Sequence, residues 1–302
     1  MVHLKLSQGA KPGIGGVLPG AKVTKEIAET RGVELGKAVI SPAYHRVFST
    51  PRELVRFIAR MRDLAGGKPT GLKLCVGSRV EFLAICKAMI EEQTYPDFIT
   101  VDGAEGGTGA APVEYSDHVG MPLTEGLITV HQALRGAGLR EHIKLGASGK
   151  VSTGVDIVKR IIQGADYTNS ARAMMMAVGC IQAQTCQTNT CPTGVATLDP
   201  KRMRALDVPD KTQRVTTYQE GTVDQAMQVV ASMGLRSFED LRPHMLRRQI
   251  NHGEITSYAD LVEHLEPASC IATLPRPGLP TGNEQIRNRS RRRSPTPAGG
   301  LG

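Results

Sequence analysis

The sequence predicts an α/β fold, a TIM (β/α)8 barrel with a helical C-terminal appendage, and three observations carry that expectation. From residue 4 to about 200, short apolar runs alternate with longer amphipathic stretches, the rhythm of successive β-α units. The apolar runs end in unusual loops: Gln8-Gly-Ala-Lys-Pro-Gly, Asp102-Gly-Ala-Glu-Gly-Gly-Thr-Gly, Ala147-Ser-Gly-Lys-Val-Ser-Thr-Gly and Ser170-Ala-Arg. Such loops gathered at one end of parallel strands belong to a barrel or to a doubly wound sheet. The Gly-x-Gly-x-x-Gly turn that a dinucleotide fold places after its first strand is missing, which favours the barrel.

Taken in order, the expected strands are Leu4 to Ser7, a weaker one at Val39 to Ser41, then Gly71 to Val76, Phe98 to Val101, Ile143 to Gly146 and Asp166 to Asn169. Helices are expected over Pro51 to Leu64, Val80 to Glu92, Thr124 to Arg135 and Gly154 to Gln163. Leu54, Phe57, Ile58 and Met61 recur at the helical period and mark a core-facing stripe. After residue 215 the pattern turns helical over Gln225 to Ser232, Phe238 to Arg248 and Tyr258 to Glu266. The expected division is a barrel with a Cys-rich segment over 1–215, a helical appendage over 216–272 and a disordered basic tail over 273–302. The strand count falls short of eight, so the barrel is expected to be truncated at its N-terminus.

Composition excludes several classes of function. The chain has 302 residues, 40% of them hydrophobic, enough for a real core, and no apolar run approaches 18 residues, so no membrane span is expected. Tryptophan is absent and aromatics make up 4%, against a base-stacking surface for nucleic acid. The net charge of +8 is largely a tail effect. Five arginines from Arg287 to Arg293, set against Glu284, leave +4 for the body. Nothing at the N-terminus resembles a secretory signal, so a cytoplasmic protein with reduced thiols is expected.

Four groups of residues carry chemistry. Cys180, Cys186 and Cys191 stand in a Cys-x5-Cys-x4-Cys run ending in Pro, half of the six cysteines within twelve positions. Three soft ligands suit a three-iron cluster, or a cubane with an outside ligand, better than tetrahedral zinc. Cys75, Cys86 and Cys270 read as small buried hydrophobes. Ser148, Gly149 and Lys150, ahead of a helix near Gly154, combine backbone amides with a fixed cation and so could hold a phosphate together with Asn169, Ser170, Ala171 and Arg172. The plainer alternative is a glycine turn capped by Ser152 or Thr153. The loop after Asp102 is too glycine-dense for a simple turn, and Gly106 and Gly107 would let backbone approach a flat ligand. Glu105 either faces that ligand or bonds its own loop. Lys73, in the middle of an apolar strand, calls for an anionic partner. Gln8 and Lys11 bracket the first loop and could hold a carboxylate, while His45 and His118 have no metal partners in spacing.

These segments together resemble the FMN-binding domain of glutamate synthase, and more closely the stand-alone FMN-binding proteins of that family. The match runs from Lys5-Leu-Ser-Gln-Gly-Ala-Lys-Pro-Gly to about residue 270, most specifically at Gln8 to Pro19, Asp102 to Pro112, Asn169-Ser-Ala-Arg and Gly179 to Pro200. The resemblance implies a barrel that binds FMN beside an iron-sulfur cluster of 3Fe-4S type and reductively aminates 2-oxoglutarate by way of 2-iminoglutarate. Electrons would come from an external donor, ferredoxin or an NAD(P)H-linked reductase subunit, and a homo-oligomer is compatible. Cys180, Cys186 and Cys191 fall on the family's cluster ligands. Gly149, Lys150, Ser170 and Ala171 fall on its FMN phosphate loops, Lys73 on the lysine beside the flavin, and Gln8 and Lys11 in the segment lining the flavin and oxo-acid pocket. Lys73, Gln8, Lys11 and Glu105 make up the expected catalytic group.

Two departures bear on substrate. Full glutamate synthases carry Ser-Gly-His-Asp-Gly-Gly-Thr-Gly where this chain has Asp102-Gly-Ala-Glu-Gly-Gly-Thr-Gly, and Asp-Gly-Gly where it has Ser148-Gly-Lys. No glutaminase segment precedes the barrel motifs, so ammonia made from glutamine is not expected of this chain. The rival readings are an electron-transfer module or inactive remnant without amination, and an FMN barrel of the inosine-monophosphate dehydrogenase or isopentenyl-isomerase type, which lacks the cysteine triplet.

Overall fold

The structure, a computed structural model, describes residues 1–271; the basic tail 273–302 lies outside them. The first strand, β1 (Val2–Lys5), is followed by a two-residue antiparallel ladder of β2 (Val17–Leu18) and β3 (Val39–Ile40), which leaves the main sheet. The short helix α1 (Lys25–Arg31) lies between those two. The expected weak strand at Val39 is thus present but belongs to this side ladder.

From α2 (Pro51–Leu64) onward the β-α alternation is regular: β4 (Thr70–Leu74), α3 (Arg79–Glu91), β5 (Phe98–Asp102), α4 (Leu123–Gly136), β6 (Lys144–Ser148), α5 (Gly154–Ile162), β7 (Tyr167–Asn169) and α6 (Arg172–Val178). The sheet runs β1-β4-β5-β6-β7, all parallel. A doubly wound sheet reverses its order at a switch point. This one never does, and an unreversed succession of β-α units is the winding of an α/β barrel. Among the described residues it comprises five parallel strands rather than eight.

Local chemistry explains the boundaries. Thr50 accepts the Glu53 amide while Glu53 takes the Thr50 amide, a capping box with Pro51 at the first helical position, so α2 begins where the sequence places it. Leu54, Val55 and Ile58 then turn inward.

Register sorts the sheet into two chemically different faces, because residues paired across strands point the same way. Leu4, Leu72, Ile99 and Leu145 are in register and pack under Ile58, Phe82, Met89, Leu127 and Leu134 of the covering helices, forming the main core. The next row, Lys5, Lys73, Thr100, Gly146 and Tyr167, lies on the opposite face and is polar. There the Tyr167 hydroxyl and Thr100 Oγ1 are hydrogen-bonded at 2.9 Å, covering the middle of the sheet.

After α7 (Pro200–Met203), the long helix α8 (Val208–Ser232) crosses the expected boundary at 215 and packs on α5 and α6. Ala226 and Val230 meet Val158, Ile162 and Leu241 in a second small core. The appendage is less helical than expected. Residues 238–248 form two single 3-10 turns, Phe238–Asp240 and Pro243–Met245, and then enter a hairpin of β8 (Arg247–Asn251) and β9 (Glu254–Ser257). Pro243 supplies no amide to continue a helix, and Gly253, at φ 89°, makes the reversal. The last helix, α9 (Tyr258–Leu261), stops short of the expected Glu266. Cys75 and Cys86 are buried as expected, but Cys270 is exposed. Among the described residues no helix is long and apolar enough to cross a membrane.

Candidate functional site

The C-terminal ends of β1, β4, β5, β6 and β7 bring four of the expected loops to one edge of the sheet. Lys5 and Lys73 are direct register partners on adjacent strands. Two rows further on, on the same face, Asp102 is 1% exposed and holds two groups with one oxygen, the Lys73 ammonium at 3.0 Å and the Gly9 amide at 2.8 Å. A buried carboxylate is costly unless paired and hydrogen-bonded, and here it is both. Lys5 in turn donates to Gln8 Oε1 at 2.9 Å, while the Gln8 amide donates to the Gly107 carbonyl. Burial, aided by the charges of Lys73 and Lys11 and opposed by Asp102, pulls the Lys5 ammonium below its ordinary pKa. Three ammonium groups therefore share one corner with one buried carboxylate.

The first loop is pressed against the third. A Cβ on Gly9 would lie 1.7 Å from the Gly103 carbonyl oxygen, so only glycine allows this approach. Ala10 then donates to Gly106 at 2.7 Å, and Gly103 donates to the Ser148 carbonyl at 2.8 Å. Burial, with the charges of Asp102 and Glu105, pushes the nearby Cys75 thiol up to about 11, so it stays protonated and unreactive.

Glu105 has a structural partner. Its two carboxylate oxygens accept the Leu123 amide at 3.1 and 3.0 Å, at the start of α4, where negative charge suits the helix dipole. It thus ties the glycine loop to α4.

The two expected phosphate loops are neighbours. Ser148 and Asn169 are in register, and the Ser170 hydroxyl donates to the Val151 carbonyl at 2.8 Å. No backbone carbonyl among the described residues accepts the amides of Gly149, Lys150, Ser170 or Ala171. Amides left free on adjacent loops are the donors that an anion would need. Gly149 sits at φ 140°, open to glycine alone. The helix beyond is less available. Thr153 caps α5, and Asp156 takes the amides of Ser152 and Thr153, so the capped turn and the amide cradle coexist. Lys150 points its ammonium at Asp117, 3.4 Å away, and Arg172 donates to Thr108 of the glycine loop.

Cys180, Cys186 and Cys191 lie in one segment after α6. Among the described residues no group of three His, Cys, Asp or Glu side chains is placed to hold a metal ion. Each thiol is served locally instead. Cys180 Sγ accepts the Gln182 amide at 3.4 Å, Cys186 Sγ faces Gly109, and Cys191 is buried against Thr193. Burial opposes ionisation of Cys191, but the Thr193 hydroxyl and the amides of Ala196, Thr193 and Val195 outweigh it and hold the thiol at about 7. The backbone between them reverses at Gln182, Gln184 and Asn189, all left-handed, and Lys22 clamps the carbonyls of Cys186 and Ala196. As they stand the three thiols are not gathered into one ligand set, and no step of the reaction proposed below needs them.

The structure places Gln8, Lys73, Gly106, Gly107 and the two amide loops at one edge of the sheet. Sequence reasoning missed Lys5 and Asp102 as site residues. The signal for Lys5 was the period-2 alternation of Val-His-Leu-Lys, which sets His3 and Lys5 on the polar face.

Residues 1–236 match the model of the conserved region in glutamate synthase. The glutamate synthase large subunit-like protein YerD of Bacillus subtilis is 45% identical over 235 residues, covering 78% of this chain and 44% of its own length. The archaeal-type glutamate synthase [NADPH] of Thermotoga neapolitana is 35% identical over 242 residues, covering 80% and 47%. The chain thus spans about half the length of the curated relatives it matches. Among solved structures, the flavin-binding domain of baker's yeast flavocytochrome b2 covers 92% of this chain and 50% of its own at 12% identity and a TM-score of 0.40.

Proposed function

The chain belongs to the glutamate synthase family, and from that premise we propose that it is an FMN-dependent oxidoreductase that reductively aminates 2-oxoglutarate or a closely related oxo acid. The observation that carries the reading is the three-lysine corner beside an amide cradle.

Charge selects the substrate class. Lys5, Lys11 and Lys73 face one buried carboxylate, Asp102, while the charge of Glu105 is set against the N-terminus of α4. Lys5 and Lys73 against Asp102 leave the corner positive, which suits an anionic oxo acid such as 2-oxoglutarate. Asp102 fixes the ammonium of Lys73, and Lys5 with the Gly107 carbonyl fixes the amide of Gln8, so the groups that meet the substrate are oriented in advance. The cradle of Gly149, Lys150, Ser170 and Ala171 would take the FMN phosphate, with Ser148, Asn169 and Arg172 shaping its rim, and Gly106 and Gly107 would back the ring. When bound, FMN supplies a hydride for the imine formed from the oxo acid and ammonia. The lysines hold the anion and stabilise the negative charge that remains on it. An external reductant, ferredoxin or an NAD(P)H-linked partner, would recharge the flavin. Six free thiols suit the reducing cytoplasm.

The test is a half-reaction. The chain is loaded with FMN, reduced anaerobically with dithionite and mixed with 2-oxoglutarate and ammonium. Return of the oxidised flavin spectrum with stoichiometric glutamate by mass spectrometry is the expected result. A spectrum that stays bleached, with no amino acid formed, refutes the amination chemistry. Flavin bound tightly without that reaction is the outcome of the second reading, an electron-transfer module, which the half-exposed lysine face of the open sheet favours.

A further inference from the structure

The outer side of the barrel carries a second concavity, remote in character from the lysine corner. It opens between α3, α4 and the C-terminal hairpin with α9, and holds about 490 Å³. Sites for small organic ligands have volumes of about 300 to 1,000 Å³. Its walls are apolar, built from Leu83, Ile128, Ala133, Leu261, Val262 and Leu265. Arg79, Thr124, Glu125, Arg248 and Tyr258 add polar groups to the lining. Those last four residues also line an adjoining polar cleft of about 530 Å³, which adds Lys159 and Arg247.

The charge is uneven. Four cationic side chains, Arg79, Lys159, Arg247 and Arg248, border the joined space against Glu125 and Glu263. Arg248 reaches Glu125 at 3.4 Å, with both side chains about half exposed, a loose pair. Arg79, Lys159 and Arg247 form no ion pair among the described residues. A fifth cation lies behind the wall. Arg160 is 93% buried, donates only to the neutral oxygens of Thr124 at 2.7 Å and Gln163 at 2.8 Å, and keeps its Nε unpartnered. Burial pulls this guanidinium below its ordinary pKa, against the nearby charges of Glu105, Asp156 and Glu125.

We propose that this joined space is a binding site for a small amphipathic carboxylate, its apolar body against Leu83, Ile128 and Leu261 and its carboxylate among Arg248, Arg247 and Lys159. The apolar wall excludes a bare inorganic anion as the best ligand. The guanidinium fork of Arg248 favours a planar carboxylate over a neutral alcohol of the same length, because two parallel N-H groups match its two oxygens. The site is independent of flavin and of turnover.

Calorimetric titration of the full chain with sodium octanoate tests it, with 1-octanol and sodium sulfate as comparators. Octanoate is expected to bind saturably at one site, more tightly than either comparator. Arg248→Gln should weaken it at least about tenfold, the loss typical of hydrogen bonds to a charged group. Leu83→Arg should abolish it by filling the apolar lobe; Leu83 is 49% exposed, so the substitution spares the core. Leu261→Arg, also on the rim, replaces it if that variant melts early. Absence of saturable octanoate binding, octanol or sulfate binding as tightly as octanoate, or full affinity in both arginine-directed and leucine-directed variants of unchanged melting temperature overturns the proposal.

Discussion

Neutralising Asp102 while keeping its shape probes the lysine corner directly. In Asp102→Asn the remaining carbonyl oxygen can still accept the Gly9 amide, so the change removes charge rather than the loop contact. A unit pair at 3.0 Å attracts by about 5 kcal/mol at an effective dielectric of about 20. Asp102 is 2% exposed in its side chain but Lys73 is 24% exposed, so water screens part of that attraction. Breaking a buried pair from one side costs about 3 to 5 kcal/mol, and the exposure of Lys73 puts the expected loss near the lower end, about 3. Lys73→Met leaves the more buried Asp102 carboxylate without its ammonium, a larger cost that relief of the repulsion on Lys5 offsets in part, so it should also lose about 3 kcal/mol. The double variant should then be less destabilised than the sum by about 2 kcal/mol. Urea unfolding of the four proteins at pH 7 measures the cycle. A coupling energy below about 0.5 kcal/mol would mean that Asp102 and Lys73 do not act as a pair, and the proposed orientation of Lys73 would fall with it.

Other consequences follow from the same geometry. Lys5→Gln should leave stability unchanged or raise it by up to about 1 kcal/mol, since it removes a like-charge neighbour, yet weaken 2-oxoglutarate binding to the flavin-loaded chain about tenfold by calorimetry. Gly9→Ala forces a carbon into the Gly103 carbonyl and should cost about 3 kcal/mol or more, with FMN affinity by fluorescence quenching falling in parallel. Thr153→Ala should cost about 1 kcal/mol at pH 7. Despite partial burial, the Ser152 and Thr153 hydrogen bonds hold Asp156 below its ordinary 3.8, so its contribution is whole above that value and is lost as pH falls through the depressed one, where the stability of the variant and its parent should converge. His131 behaves likewise for a different reason. Burial first, then the charges of Arg140 and Arg135, press it down from 6.5 to about 4, so the neutral ring is favoured in the fold and stability drops by up to about 3 kcal/mol as pH falls from 6.5 to 4. His131→Gln should flatten that limb of the urea-midpoint profile.

How legible the molecule was depends on whether the signal is local. The capping box at Thr50 and Glu53 and the stripe of Leu54 and Ile58 are properties of neighbouring residues, and α2 has the expected boundaries. The glycine loops announced themselves for the same reason: a backbone that must approach another within contact distance can be built only from glycine, as at Gly9. Strand register is not local. Lys5 and Lys73 stand 68 positions apart, and only the pairing of β1 with β4 makes them neighbours, so the sequence showed a lone strand lysine where the fold has a corner of three. The C-terminal hairpin was hidden by composition. Arg247-Arg-Gln-Ile-Asn has good helix formers at most positions, and the pairing with β9 overrides them. The cysteine triplet is legible only in part. Its spacing is local, but convergence of three sulfurs depends on the left-handed turns at Gln182, Gln184 and Asn189, which spacing cannot reveal.

The lysine corner also shows why a site of this kind survives in a fold that it weakens. Lys5 and Lys73 in direct cross-strand register repel each other, and burial adds to the cost on Lys5. A sheet selected for stability alone would place a hydrophobe or an opposite charge at one of the two positions. One carboxylate, Asp102, offsets part of the repulsion, and it is buried where it orients Lys73 rather than where it would neutralise all three ammonium groups. On the proposed reading, the positive charge left on Lys5 and Lys73 is what an anionic ligand meets. An anion that enters gains from relieving the repulsion as well as from its own contacts, and the gain is largest for a ligand carrying two charges at the spacing of a short dicarboxylate. Monocarboxylates such as pyruvate should accordingly bind the flavin-loaded chain at least about tenfold more weakly than 2-oxoglutarate, the loss typical of one charge-assisted contact. Equal affinities in the same titration would show that the corner does not read the second charge.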